Sequence, residues 1–430
     1  MLPDSFGAPE RYAQYLRAAE ITEFDIDTIP DLDRARQVLA HGWLEIIMHN
    51  DPIDAAKKNR LAILYQLPES WANVRSVWEA AQEDDTVEVS VVLLPFIHRD
   101  YQWQRELAEA YLRNIGVPFV PWDAYSLDEA ALDAVLYTSP YDETRPEAYK
   151  FANLRQHVRR TAYVPYGLEV GGGEQNYVYQ YGQPVTARAD AVFVRSESVR
   201  GMFSRHCPTG SSHVYVTGHP RMDSLVSIAD FEIDPALKNA VGERKAILWN
   251  AHFSFDGDLW STFDCLASGI IESFIGRPDL VLLFRPHPLL WKKLINLNIL
   301  SERDIVELKA QLHECGVIVD ERSDHRHAFA VSAAMMSDAG SFLMEYLATG
   351  KPVLYLKNPD GLGLNEEGVA VARQYQSASD VMQVDTFLDQ VRRGEDPLYA
   401  SRNAAIKHFF HELDGGSGRR VLNVLKELMA

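Results

Sequence analysis

Cysteine is scarce in this chain: three in 430 residues, Cys207, Cys265 and Cys315, with no CxxC or CxxH spacing. That scarcity excludes a disulfide framework and a zinc cluster, and it is the usage expected of a reducing cytoplasm. Long apolar runs are missing too. No stretch approaches the ~18 residues that a membrane span needs, and the first residues, MLPDSFGAPERY, lack the basic and apolar pattern of a secretory leader. Positive charge is the third shortage. With 42 Lys and Arg against 61 Asp and Glu, the net charge of −19 argues against general nucleic-acid binding and against holding anionic lipid by charge alone. A local basic or apolar patch would still be able to dock a membrane-bound acceptor. The expected location is cytoplasmic, with peripheral association at the inner membrane face left open.

What is present is ordinary for a globular protein, 47% hydrophobic and 24% charged, and long enough for two α/β domains. Short apolar runs bounded by turn residues predict strands at 60–65, 87–94, 117–121, 134–137, 161–164, 191–194 and 214–217, and again at 246–250, 280–284, 316–319, 334–336 and 353–356. Helical periods fall between many of them, at 103–115, 197–205 and 259–274. Such alternation predicts parallel sheets with right-handed crossovers. The polar, proline-interrupted stretch 231–244 marks a domain boundary. The expected organisation is a helical extension over 1–58, a first domain over 59–235, a second over 244–405, and a closing segment over 406–430 whose helix carries an apolar stripe at Val421, Leu422, Val424, Leu425 and Leu428.

The most informative stretch runs from Ala333 to Tyr355. An apolar strand breaks into Ser337-Asp338-Ala339-Gly340-Ser341, a helical period begins at Phe342, and Gly350-Lys351-Pro352 ends it before the next strand. Orphan N–H groups at a helix start suit a phosphate, which makes Asp338, Gly340 and Ser341 candidate donor-binding residues. Glu345, one turn deeper on the same face, is placed to accept from ribose hydroxyls. The plainer reading of that turn is a capped helix. Arg285-Pro286-His287-Pro288 follows another strand, and the flanking prolines fix His287 beside a guanidinium suited to a pyrophosphate.

Other strand ends contribute further candidates. Tyr141 and Asp142 end the 134–137 strand, Tyr166, Gly167 and Glu169 the next, and His252 the one at 246–250. Gly171-Gly172-Gly173 reads as a loop beside the cleft that moves on binding, or as a surface loop with no role. Arg221 and Asp223 are read equally as ligand contacts or as a pair fixing the domain crossing. His325 and His327, two apart on a polar loop, read as solvated more readily than as metal ligands.

Four of these stretches together carry a resemblance. Gly218-His219-Pro220-Arg221-Met222-Asp223, Phe284-Arg285-Pro286-His287-Pro288, Ser337 to Ser341 with Glu345, and Asp414-Gly415-Gly416-Ser417-Gly418-Arg419-Arg420 occur in the order seen in the CDP-glycerol glycerophosphotransferases of teichoic-acid synthesis. The chain resembles that family over roughly residues 160–425. The resemblance implies an α/β fold of two facing Rossmann-like domains, the glycosyltransferase-B architecture, with the closing helix near the hinge or back on the first domain. It implies a nucleotide-diphospho donor held mainly by the second domain, Arg285 and His287 on its phosphates and Ser341 at a helix start. It also implies no cofactor and no obligatory metal, and a saccharide or lipid-linked acceptor. One departure stands out: Tyr166-Gly167 replaces the His-Gly pair whose histidine looks like the family's base. A tyrosine with its usual pKa near ~10 is a poor base at neutral pH. His287, Glu169, His252 and Asp142 are therefore the catalytic candidates, with Tyr141, Tyr166, Gly167, Arg221 and Asp223 lining the cleft. The reading is a transferase using CDP-glycerol or a nucleotide sugar; the alternatives are a nucleotide-sugar epimerase of the same architecture and a binding protein that has lost its base.

Overall fold

The computed structural model describes residues 58–97, 103–168 and 170–430. The helical extension expected over 1–58 falls outside the described residues except for Lys58, and so does the candidate base Glu169. Thirteen described strands form two sheets. The first holds β1 (Asn59–Tyr65), β2 (Val87–Leu93), β3 (Val120–Pro121), β4 (Ala134–Tyr137), β5 (Arg160–Tyr163), β6 (Ala191–Val194) and β7 (Val214–Val216), in the order β3-β2-β1-β4-β5-β6-β7. The second holds β8 (Lys245–Asn250), β9 (Leu280–Phe284), β10 (Ile318–Val319), β11 (Ser332–Ser337), β12 (Val353–Leu356) and β13 (Gln376–Ala378), in the order β10-β9-β8-β11-β12-β13. Every pairing within both sheets is parallel. In each, the strand order reverses beside the first strand, between β1 and β4 and between β8 and β11. Crevices at such reversal points are where open α/β sheets bind ligands.

Side-chain alternation accounts for burial on both faces. Leu61, Ile63 and Tyr65 of β1 face one layer, Ala62 and Leu64 the other. In the second sheet Ile247 and Trp249 of β8 point one way and Ala246 and Leu248 the other. Strands covered on both faces read as continuous apolar runs, which is why β4, β6, β9 and β12 coincide with their runs residue for residue. β10 keeps Ile318–Val319 of the expected 316–319, β11 extends to Ser332–Ser337, and two further strands depart more sharply from the sequence pattern. β3 keeps only Val120–Pro121 of the expected 117–121; Pro118, which cannot donate to a ladder, lies outside it. β13, Gln-Ser-Ala, has no apolar run to announce it.

The helix Ser417–Met429 returns to the first sheet, with Val421, Leu422, Leu425 and Met429 buried against Leu61, Ile63 and Val77. Asp223 holds its start: one carboxylate oxygen accepts from the Ser417 N–H at 3.1 Å, and the other from the Gly418 N–H at 2.8 Å and the Ser76 hydroxyl at 2.7 Å. Asp223 is thus a cap for this helix and does not pair with Arg221. Gly418 permits the approach, since a Cβ there would lie 2.3 Å from the Ser76 carbonyl carbon. Leu422→Ala is expected to cost ~2–5 kcal/mol, the range for emptying a buried leucine site, read as a lower urea midpoint with an unchanged slope.

The glycine run is a contact between the two halves in this structure. Gly171 bridges Leu364 in antiparallel fashion, the Gly172 N–H donates to the Gly363 carbonyl at 3.1 Å, and the Asn365 N–H donates to the Val170 carbonyl at 2.8 Å. A Cβ on Gly171 would fall 2.4 Å from the Trp260 ring, so close packing accounts for that glycine.

Candidate functional site

The C-terminal strand ends of the two sheets face a common cleft of about 800 Å³. Its wall comes from the turns after β1 (Gln66 to Glu69), β4 (Thr138 to Tyr141), β5 (Tyr166 to Leu168, with Val170 and Gly171) and β7 (Pro220 to Ser224) on one side. The turns after β8 (Asn250 to Trp260), β9 (Arg285 to Leu289) and β11 (Ala339 to Phe342) form the other.

Three histidines at these strand ends share one local device. In each, Nδ1 accepts a backbone N–H two residues on: Arg221 for His219 at 3.2 Å, Ser254 for His252 at 3.1 Å, and Leu289 for His287 at 3.1 Å. An amide N–H can only donate, so the proton of each neutral ring sits on Nε2. Proline follows His219 and His287, leaving the second residue's N–H as the nearest donor. His219 donates from Nε2 to the Pro165 carbonyl at 2.8 Å, tying the β5 turn to the β7 turn. His252 and His287 line the cleft with ring centroids 5.2 Å apart, both against Phe253 at 4.5 Å. Burial lowers the His287 ring to about 4, and burial, then the neighbouring His287, holds His252 well below its usual value. Both are neutral Nε2–H donors at pH 7.

Gly340 sits beside this pair; a Cβ there would meet the His252 ring at 3.8 Å. Gly340 and Ser341, at the start of the short helix Phe342–Glu345, line the same space. His287, His252, Gly340 and Ser341 are therefore brought together on one side of the cleft.

Several expected roles need correction. Asp338 is buried behind the turn and is not part of the cleft wall: its carboxyl accepts from the His252 N–H at 2.8 Å, the Thr262 N–H at 3.2 Å and the Thr262 hydroxyl at 2.5 Å. Burial pushes that carboxyl up to about 7 against those donors. It organises the β8 turn rather than a ligand. Glu345, expected on a ribose, is fully buried and ion-paired with Arg221 at 3.2 Å, with His325 Nε2 3.1 Å from its other oxygen. Burial alone would raise this carboxyl, but Arg221 and His325 hold it well below the usual carboxylate range. Arg285 lines the cleft, yet its guanidinium donates to Asp320 at 2.7 Å and to the Arg322 carbonyl at 2.6 Å. Asp142, a candidate base, accepts instead from Arg145 and the Phe151 N–H within its own loop, outside the cleft wall. The two loop histidines separate: His325 faces Glu345, while His327 accepts the Asp234 N–H at 3.1 Å. Among the described residues no cluster of His, Cys, Asp and Glu is placed to hold a metal ion.

Arg221 proves to be the hub between the halves. Besides Glu345 it donates to Asn73 Oδ1 at 2.8 Å and to the carbonyls of Glu69 at 3.1 Å and Tyr166 at 3.3 Å. Tyr141 and Tyr166 line the cleft with hydroxyls 2.9 Å apart, and burial, then Tyr166, pushes the Tyr141 phenol above its usual value. Gly167 lies beside them. Sequence reading missed Asp258, Asn176 and Trp260. Asp258 Oδ1 accepts from Asn176 at 3.1 Å across the cleft, and burial raises its carboxyl. Leu259 adopts φ 49°, and the predicted helix begins at Phe263 rather than 259, so Asp258 and Trp260 belong to a cleft loop. Positive φ at a leucine has no local sequence signal.

No family model matches this chain, and no curated protein matches it. Solved structures do. UDP-GlcNAc 2-epimerase from Neisseria meningitidis bound to UDP-GlcNAc is similar with a TM-score of 0.58 at 18% identity, over 86% of this chain and 100% of that one. The epimerase from Methanocaldococcus jannaschii in complex with UDP-GlcNAc and UDP gives 0.59 at 15%, over 86% and 99%. The wall teichoic acid polymerase TagF soaked with CDPG gives 0.54 at 13%, over 93% and 99%. The shared feature is the fold: this chain has the glycosyltransferase-B architecture of two parallel-sheet α/β domains, with the last helix on the first.

Two stability predictions follow from the buried charges. Arg221→Met strands the Glu345 carboxylate and is expected to cost ~3–5 kcal/mol, whereas Arg221→Met with Glu345→Leu recovers most of that loss in urea unfolding. The second concerns pH. Burial and then Arg221 lower His219 to about 3, and burial lowers His287 to about 4, both below the unfolded value of 6.5. Because the fold favours the neutral rings, their contribution is complete above pH 6.5 and is lost as pH falls toward 4 and then 3. Each ring adds up to ~1.4 kcal/mol per pH unit in that window. His219→Asn should flatten the dependence of the urea midpoint between pH 6 and 4, and an unchanged slope would count against this assignment.

Proposed function

We propose that the protein is a transferase that binds a nucleotide-activated donor, CDP-glycerol or a nucleotide sugar, in the cleft between its two domains. The donor's diphosphate lies against the Nε2–H groups of His252 and His287 and the N–H groups of Gly340 and Ser341. The transferred group, glycerol phosphate or a sugar, passes to a saccharide or lipid-linked acceptor on the first-domain side. One observation carries this reading: two imidazoles, each fixed by a backbone amide as an Nε2–H donor, converge beside a helix start that has a glycine where they approach. Such donors are already oriented when charge grows on the departing phosphate, so little reorganisation opposes the reaction. A cleft of about 800 Å³ is in the range that encloses a ligand of this size. In this reading these donors, and not a metal ion or cofactor, offset the leaving charge.

The epimerase reading keeps one specific support, the higher TM-scores of the UDP-GlcNAc 2-epimerases, 0.58 and 0.59 against 0.54 for TagF. The products separate the two. Glycerol phosphate transfer breaks the donor's P–O–P link and releases CMP, sugar transfer releases a nucleoside diphosphate only with acceptor, and epimerisation yields an altered sugar without one. Phosphorus NMR on a donor panel, with and without acceptor, reads all three, and nucleotide binding without turnover would sink both enzyme readings.

His287→Ala tests the site itself. Turnover should fall by roughly 10²–10³, with a smaller change in donor KM and no change on adding EDTA to the wild type. A variant of lowered melting temperature but full turnover per folded molecule would remove His287 from the reaction.

A further inference from the structure

We propose that the first-domain wall of the cleft is a subsite for an uncharged saccharide ring, the part of the acceptor that receives the transferred group. This rests on the donor reading above and adds the acceptor's chemical class. The helix Glu174–Tyr181 follows the Gly171 bridge and presents Asn176 and Tyr179, one turn apart on one face, to the cleft. Tyr179 is 43% exposed and Tyr166 45%, large for aromatic rings inside a cleft. Tyr141 stands between them, with its ring centroid 5.5 Å from Tyr166 and 6.3 Å from Tyr179. The three rings form one continuous aromatic wall with a phenol pair at one end and the Asn176–Asp258 pair near the other.

A pyranose has an apolar C–H face and a rim of hydroxyls. The tyrosine rings suit the face; the two phenols supply donors and acceptors for the rim, and Asn176 Oδ1 and the Asp258 carboxylate supply acceptors, the Asn176 Nδ2 being taken by the Gly172 carbonyl and Asp258. The charge on this wall argues against an anionic acceptor. Its guanidiniums are both matched by carboxylates, Arg75 by Glu79 at 2.8 Å and Arg221 by Glu345 at 3.2 Å. A phosphate-linked polymer approaching this wall would meet no unmatched cation among the described residues, on a chain of net charge −19.

Saturation-transfer NMR on the full chain tests this with three sets of probes: CDP and UDP; neutral di- and trisaccharides of glucose, galactose and N-acetylglucosamine; and an oligo(glycerol phosphate) of matched length. At least one neutral saccharide should bind, Tyr179→Ala should weaken it by about tenfold, and Tyr179→Trp should restore it, the scale of one lost aromatic contact. Nucleotide binding by the same Tyr179→Ala sample shows that the fold and donor half are intact. The proposal is overturned if oligo(glycerol phosphate) binds more tightly than every saccharide, if Tyr179→Ala leaves saccharide affinity unchanged, or if CDP or UDP binds and no saccharide does. Saccharide binding without nucleotide binding would instead sink the donor reading and leave the subsite standing.

Discussion

The ion pair between Arg221 and Glu345 is the interaction on which the two halves depend. Arg221 stands in the turn after β7 and Glu345 in the helix after β11, with relative exposures of 9% and 0%. A buried carboxylate without its cation is costly, so the domains are held where the pair can form. The same guanidinium gathers Asn73 and the carbonyls of Glu69 and Tyr166, which fixes two first-domain segments, the turn after β1 and the turn after β5, against the second domain. His219 beside it is kept neutral and donates to the Pro165 carbonyl, so the β5 turn that carries Tyr166 is set by the same cluster. Cleft shape and interdomain packing therefore share one physical cause.

Inside the cleft the electrostatics are local. Two cleft-lining arginines are matched by carboxylates, Arg285 by Asp320 and Arg221 by Glu345. Beside β8, β9 and β11 the cleft is lined instead by two neutral imidazoles, His252 and His287, and by the helix start at Gly340 and Ser341. The orientation of the imidazoles follows from backbone amides capping Nδ1, and Asp338 holds the β8 turn in place by accepting from the His252 N–H and from Thr262. The second histidine owes its position to the two prolines that flank it.

How much of this was legible in the sequence differs by level. Runs such as Ala191–Val194 and Leu280–Phe284 mark strands covered on both faces, because only apolar side chains satisfy both layers. Gln376–Ala378 was not legible, since its pairing with β12 is through backbone groups that any residue supplies. His287 and Gly340 do line the cleft, at turns that proline and glycine mark through their own backbone. Glu345, Asp338 and Arg285 were assigned to a ligand for sound local reasons, yet their partners come from segments far along the chain: Arg221, Thr262 and Asp320.

The sequence by itself determined the two α/β halves, most strand positions, and the turns where polar residues leave the sheets. These follow from period, apolar run length and backbone restriction, all of which act within a few residues. Only the tertiary structure decided which polar side chains face the cleft and which are consumed in holding it together. A carboxylate or guanidinium carries no local mark of its partner. That choice is made by desolvation, which compels a buried charge to find an opposite one wherever the folded chain brings it.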